Sequence, residues 1–375
     1  MNLMPTQASR IVMLVDLDYF FAQVEELRNP SLEGRPVVVG MYSGRTETSG
    51  AVSTSNYIAR KFGVKSGIPL FLAQKRLENK DAVFLPVDYD YYQQVSDKIM
   101  AVLRGYGDAL EHAGIDEAYL DVTKKTNGSY EEAEVLVREM KAAVKREVGV
   151  TFSVGIGPNK LIAKIASDMH KPDGVTVVRP EQIRDFLLPL PVDALLGVGK
   201  KTVAKMSELG IKTVGELANF NVQRLVEVFG KTLGLYFHNA ANGVDNEPLQ
   251  EAGEAESIGR MSTLKENSRD LDFIMQKINQ QIDEIYTEVT QKNLSYHQVG
   301  IVAVMTDLSM KSRMKTLEKP TKDKENIRKT AIELFEKYIG ESELEIRRVG
   351  VRIADFRKEE RQQQQLTSFF QNKTS

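Results

Sequence analysis

The sequence predicts an α+β fold in several domains, and three features carry that reading. Over residues 1–178, short apolar runs of strand type alternate with helical periodicities in the order strand, insertion, helix, hairpin, helix, strand. That is the order of a ferredoxin-like sheet backed by helices, with an insertion after its first strand. From about Pro180 the pattern changes to short helices, and beyond a polar stretch at Asn246–Ser257 a second α+β pattern begins. A chain of 375 residues also exceeds what one ordinary core can hold.

Taken in order, Ile11–Asp18 reads as an apolar strand that runs into acid at its end, and Tyr19–Leu27 as a short helix behind it. Pro36–Gly40 and Ser49–Thr54 are strands of the insertion by length and β-branching. A helix begins at Asn56, and on it Tyr57 and Arg60, three apart, share a face that can hold phosphate oxygens. Phe84–Pro86 closes the insertion, and Asp88–Leu103 is a long amphipathic helix. Ala109–Ile115 and Tyr119–Val122 form a hairpin with Asp116 and Glu117 at or next to its tip. Adjacent residues of a regular strand point to opposite faces, so these two acids serve one site only from a bend. Glu131–Val148 is helical and Thr151–Ile156 a further strand, after which Lys160, Lys164 and Lys171 bring positive charge to the acidic edge of the sheet. Lys171, stopped by proline, is the one placed to reach a triphosphate.

Leu195–Ala204 has the helix-hairpin-helix pattern of apolar residue, glycine, apolar residue, glycine, then helix. Gly197 and Gly199 make the turn, and Lys200 and Lys201 stand at a helix N-terminus whose N–H groups and dipole favour a phosphate. Asn246–Ser257 is acidic and non-periodic and reads as a linker. The second unit follows with Ile258–Leu264, a helix over Leu271–Val289, strands at His297–Met305 and Met310–Leu317, a helix over Lys324–Tyr338, and Ile346–Ile353. Arg313, Lys315, Arg347, Arg348 and Arg352 fall on its strands, and a sheet studded with such residues can lie along a duplex backbone. Lys358–Ser375 is a charged, glutamine-rich tail.

Composition narrows the class. With 42% hydrophobic and 27% charged residues the chain is of soluble, globular type. It has no cysteine, which excludes disulfides and cysteine-held metals. No apolar run has the length of a membrane span and Met1–Arg10 lacks a signal-peptide core, so the expected location is the cytoplasm. A net charge of -2 means that any polyanion must be met by local basic surfaces. Asp16, Asp116 and Glu117, delivered by strand ends, make an all-oxygen ligand set that suits magnesium or manganese and not zinc, and points to two-metal phosphoryl chemistry.

Five stretches together resemble one family: Val15–Glu25, Ser49–Pro69, Ile115–Asp121, Gly155–Gly174 and Arg347–Arg352. They are similar to the Y-family translesion DNA polymerases, in the DinB or polymerase IV branch and most like its archaeal members, over Ile11 to about Phe356. The resemblance implies a palm (1–19 and 87–178), fingers (20–86), a helix-hairpin-helix thumb (179–245), a linker (246–257), a little finger (258–357) and a tail (358–375). It implies low-fidelity, template-directed addition of deoxynucleotides to a primer 3′-end, without proofreading, by a monomer. Carried over by position, Asp16, Asp116 and Glu117, with the Leu17 carbonyl, hold two magnesium ions. Thr54, Tyr57, Arg60 and Lys171 contact the triphosphate, Phe21 blocks a ribose 2′-hydroxyl, and Gly50, Ala51 and Ser53 are the small residues over the nascent pair. Primer–template DNA falls to the thumb turn and the basic little-finger strands. Where the family often has a basic linker, this chain has Glu251, Glu254 and Glu256. In the tail, Gln363, Leu366, Phe369 and Phe370 have the spacing of a peptide that binds a sliding clamp of the PCNA type. The rival readings are a nucleotidyl cyclase on a palm-like sheet, which would not need the thumb turn or the basic second unit, and a catalytically silent DNA-bound scaffold, which would not need all three acids.

Overall fold

The first apolar run becomes β1 (Val12–Leu17), buried along its whole length. This computed structural model describes residues 10–251, 253 and 256–357. Tyr19, at φ +36°, turns the chain sharply out of β1 into α1 (Phe20–Arg28). The insertion follows as β2 (Val37–Tyr42), β3 (Gly50–Ser55), the single turn α2 (Tyr57–Arg60), α3 (Leu70–Arg76) and β4 (Val83–Pro86). Its three strands form a sheet of order β3-β2-β4. Neither α3 nor β4 was expected as an element of its own.

The chain returns through α4 (Tyr89–Arg104) to the hairpin β5 (Ala109–His112) and β6 (Glu117–Asp121), then α5 (Tyr130–Glu147), β7 (Phe152–Gly157), α6 (Lys160–Ser167) and β8 (Val175–Val177). The main sheet has the order β5-β6-β1-β7-β8. Each neighbouring pair among its first four strands is antiparallel, as a ferredoxin-like sheet requires, and β8 is added in parallel at the edge. The hairpin strand ends three residues earlier than its apolar pattern suggests, at His112 and not Ile115, and Glu117 opens β6. Alternation sorts β1 cleanly: Met13, Val15 and Leu17 enter the core with α4 and α5, while Val12, Leu14 and Asp16 face the side covered by α6.

Five helices come next: α7 (Ile183–Leu187), α8 (Lys200–Glu208), α9 (Val214–Ala218), α10 (Val222–Phe229) and α11 (Lys231–Ala241). Their core includes Leu161, Ile162 and Ile165 of α6, so α6 is shared between the sheet and this helical bundle. The expected linker is not free along its full length. The Lys160 ammonium reaches Glu247 Oε1 at 3.2 Å, Gln250 N donates to Glu111 Oε2 at 2.8 Å, and Leu249 packs on Val12, Leu14, Tyr119 and Ala163. A polar, non-periodic composition conceals such docking because each contact is made to a distant part of the chain.

The described residues fall into two units, one of residues 10–41 with 51–251 and 253, the other of residues 42–50 with 256–357. The second unit holds β9 (Ser257–Ser268), α12 (Leu271–Gln291), β10 (Ser295–Met305), β11 (Met310–Thr321), α13 (Lys324–Glu341) and β12 (Ile346–Arg357). Its antiparallel sheet has the order β11-β10-β12-β9, with α12 and α13 packed over one face. Counted with it is the loop Tyr42–Gly50, whose Arg45 donates to the Leu264 carbonyl and to Asn267 Oδ1, both at 2.7 Å. The tail residues Gln363, Leu366, Phe369 and Phe370, and Glu254 of the linker, lie outside the described residues. Among the described residues no helix is long and apolar enough to cross a membrane.

Candidate active site

Two backbone features bring the acids together. In the β1–β6 register Asp16 stands opposite Glu117, and the Leu17 N–H donates to the Asp116 carbonyl at 2.9 Å, which draws the hairpin tip against the end of β1. Ser96 of α4 anchors the same tip by donating to the Ile115 carbonyl at 2.5 Å. The result is a cavity of about 300 Å³ whose wall includes Asp16, Leu17, Asp116 and Glu117. Phe21, Ser53, Thr54, Tyr57, Arg60, Lys164 and Lys171 line it as well.

Two cations are delivered by α6 and the turn after it. Asn159 caps α6 by accepting from Ile162 N at 2.9 Å, and Gly155 of β7 lets the helix lie directly on the strand. Lys164 then reaches Asp16 Oδ2 at 3.2 Å and also pairs with Glu117, while Lys171 reaches Asp16 Oδ2 and Asp168 Oδ1, each at 2.7 Å. Asp18 is the other buried acid at the end of β1, and it has a different task. It accepts from Ser153 Oγ at 2.7 Å and from Asp173 N at 2.8 Å, and so fixes the turn that carries Lys171.

The electrostatics follow from this packing. Burial pushes the Asp16 carboxyl up, but its hydrogen bond with Glu117 and the charges of Lys171 and Lys164 outweigh burial and hold it below the usual range. Burial, and then the neighbouring charge of Asp16, raises Asp116. Burial and the hydrogen bond with Asp16 raise Glu117 against the opposing pull of Lys164. Burial would lower Lys171, yet Asp16 and Asp168 keep it protonated and raise it. Tyr57, raised chiefly by burial, has a buried hydroxyl without a hydrogen-bond partner among the described residues, and the Arg60 guanidinium lies 4.7 Å from its ring centroid.

The donor set is all oxygen and fits a hard divalent cation. Among the described residues no three acidic or histidine side chains are drawn into a ready-made metal cage, and Lys164 and Lys171 pair with the carboxylates of Asp16 and Glu117. Lys160, expected near this edge, instead sits buried against Glu111, at 2.8 Å from its Oε1.

The other expected contacts are distributed over both units. At the thumb turn Gly197 has φ +81°, a conformation that suits glycine, and no side chain caps α8 at Gly199, which leaves the first N–H groups of Lys200 and Lys201 to other partners. In the second unit Val349, Val351 and Ile353 of β12 face the helices, so Arg348 and Arg352 stand on the opposite face, Arg352 exposed and Arg348 half-buried. Arg347 lies where the β12 register shifts. Arg313 departs from expectation: it pairs with Glu341 of α13, on the helix-covered side, as Lys315 pairs with Glu333. Strand position alone does not tell which face a residue takes, and the register that decides it is set by the neighbouring strands.

Comparison with known proteins shows which chains and folds this one is similar to. The model of the impB/mucB/samB family matches residues 15–168, its C-terminal domain model residues 255–367, and that of the DNA polymerase-iota thumb domain residues 193–245. The DNA polymerase IV of Nitrosopumilus maritimus is 42% identical over 363 residues, covering 96% of this chain and all of that one. DNA polymerase IV 1 of Methanosarcina mazei is 41% identical, covering 94% of this chain and 98% of that one. Among solved structures, the Y-family DNA polymerase chimera Dbh-Dpo4(243-245)-Dbh superposes with a TM-score of 0.86 at 38% identity, over 92% of this chain and 98% of that one. The insertion ternary complex of Dbh DNA polymerase does so with 0.67 at 37% identity, over the same shares.

Proposed function

The chain belongs to the Y-family DNA polymerases, in the DinB or DNA polymerase IV branch with archaeal relatives, and we propose that it extends a primer past damaged template bases by two-metal phosphoryl transfer. The observation that carries this reading is the convergence, in one cavity, of Asp16, Asp116 and Glu117 with Tyr57, Arg60 and Lys171. Asp16, Asp116, Glu117 and the Leu17 carbonyl would hold two magnesium ions, or manganese, which when bound neutralise the triphosphate and acidify the primer 3′-hydroxyl. Lys171 and Arg60 hold phosphate oxygens by charge, and the Tyr57 hydroxyl, which lacks a partner among the described residues, donates to one of them. Phe21 at the cavity wall takes the space of a 2′-hydroxyl. Gly50, Ala51 and Ser53 of β3 are small, which leaves room for a distorted template base and accounts for low fidelity.

Duplex DNA is held without base readout, by the N-terminus of α8 with Gly197, Gly199, Lys200 and Lys201, and by Arg347, Arg348 and Arg352 of β12. The protein acts as a monomer, and the peptide around Gln363, Leu366, Phe369 and Phe370 tethers it to a ring clamp of the PCNA type. Deleting residues 362–375 is expected to leave unaided extension of a short primer unchanged and to remove stimulation by the cognate clamp on a primed circle. Equal stimulation of both forms would show that the tail is not the tether. The central test is primer extension on undamaged and abasic templates with magnesium or manganese. Extension on both, with no shortening of a mismatched primer, is the expected result. Failure to extend either template with either metal would overturn the reading.

A further inference from the structure

We propose that Tyr92 of α4 is a positioning residue for sugar choice, its ring backing Phe21 so that the phenyl group cannot retreat from a 2′-hydroxyl. The inference rests on the reading of Phe21 as the sugar gate. The Phe21 and Tyr92 rings are stacked, with centroids 4.4 Å apart and planes 19° apart, and Tyr89 meets Phe21 edge-on at 5.8 Å. Phe21 lines the cavity on one side while Tyr92, fully buried, closes the space behind it.

What separates this from ordinary core packing is how Tyr92 is itself held. Its hydroxyl donates to Glu25 Oε1 at 2.8 Å, and Glu25 lies one helical turn beyond Phe21 on the same α1. The ring and the hydroxyl of Tyr92 are therefore fixed by successive turns of a single helix, so it can neither slide along α1 nor tilt away from Phe21. Glu25 is steadied in turn by Arg28, 3.8 Å away, and Arg28 pairs with Asp88 at the start of α4 at 2.9 Å. The chain of contacts closes a loop between the two helices, with Phe21 at its cavity end. A smaller or floppier side chain at position 92 would open a space into which the phenyl ring could swing, and a ribose would then fit.

The test is the ratio of kcat/KM for a deoxynucleotide to that for the matching ribonucleotide, measured on the full chain with one primer–template. Phe21→Ala is expected to lower this ratio most. Tyr92→Leu is expected to lower it about twofold to tenfold, the scale of one lost aromatic stacking contact, through a lower KM for the ribonucleotide and with the deoxynucleotide kcat/KM nearly unmoved. The Phe21→Ala, Tyr92→Leu double variant should fall no lower than Phe21→Ala alone, since a brace has nothing to hold once the phenyl ring is gone. Glu25→Gln can still accept from the Tyr92 hydroxyl and should keep the wild-type ratio. If thermal unfolding shows Tyr92→Leu to be misfolded, Tyr92→Met, whose unbranched side chain adapts to irregular core space, takes its place with the same expectation. A wild-type ratio in the position-92 variant beside a lowered one in Phe21→Ala overturns the bracing, as does additivity in the double variant. An unchanged ratio in Phe21→Ala instead defeats the gate reading on which the inference rests.

Discussion

At the residue scale, two aspartates two positions apart at the end of β1 do different work. Asp16 faces the cavity with Glu117 and the two lysines, whereas Asp18 is spent on Ser153 and the backbone of Asp173. Replacing Asp16, Asp116 or Glu117 by alanine is therefore expected to abolish nucleotide addition and to leave duplex binding largely intact, because the phosphate contacts lie elsewhere. Single-turnover extension beside fluorescence anisotropy would check this, and appreciable extension by the Asp116→Ala, Glu117→Ala double variant would remove the metal assignment. The three acids were legible because an apolar strand that ends in acid, and an acidic pair at a hairpin tip, are local patterns. The partners of Lys160, Lys164 and Arg313 were not. A sequence shows that a residue is charged, and only the docking of one element on another shows whether Glu111, Glu117 or Glu341 lies within reach.

At the scale of elements, the contact of α6 with β7 decides where the lysines go. A methyl group on Gly155 would fall 2.0 Å from the Ala163 carbonyl oxygen and 2.3 Å from Ser167 N, both backbone atoms that cannot step aside. Gly155→Ala is expected to push α6 off the sheet at a cost of at least about 1–3 kcal/mol, the range for overpacking a tight interior. A lowered Tm together with weaker triphosphate binding would report it, since Lys164 rides on α6 and Lys171 on the turn after it. An unchanged Tm would mean that the helix can shift freely. The ferredoxin-like order of the main sheet was readable from alternating periodicities. The three-residue β8 and four-residue β4 were not, since such lengths hold too few residues for a period to show, and both are defined by parallel pairing with a distant strand.

At the scale of the whole molecule, an overall charge of -2 says nothing of which charges are already paired. On the second unit, many basic side chains are already answered by acids on its helices, as Arg313 is by Glu341 and Lys315 by Glu333. Arg348 and Arg352 stand on the other face of the sheet. Replacing both by alanine is expected to weaken duplex binding on all sequences alike and to make the slope of log affinity against log salt shallower by about 0.9 for each lost phosphate contact. Arg313→Ala should leave that slope unchanged, and a sequence-selective loss in the double variant would indicate base readout instead. The cavity in the first unit shows the opposite economy of charge. Lys164 and Lys171 already balance Asp16 and Glu117, so this part of the fold carries its own counter-ions and does not lean on a cation from solution for its integrity. A strong chelator should thus silence the protein without melting it, leaving Tm where it stood, and adding back magnesium should restore synthesis at once with no refolding delay.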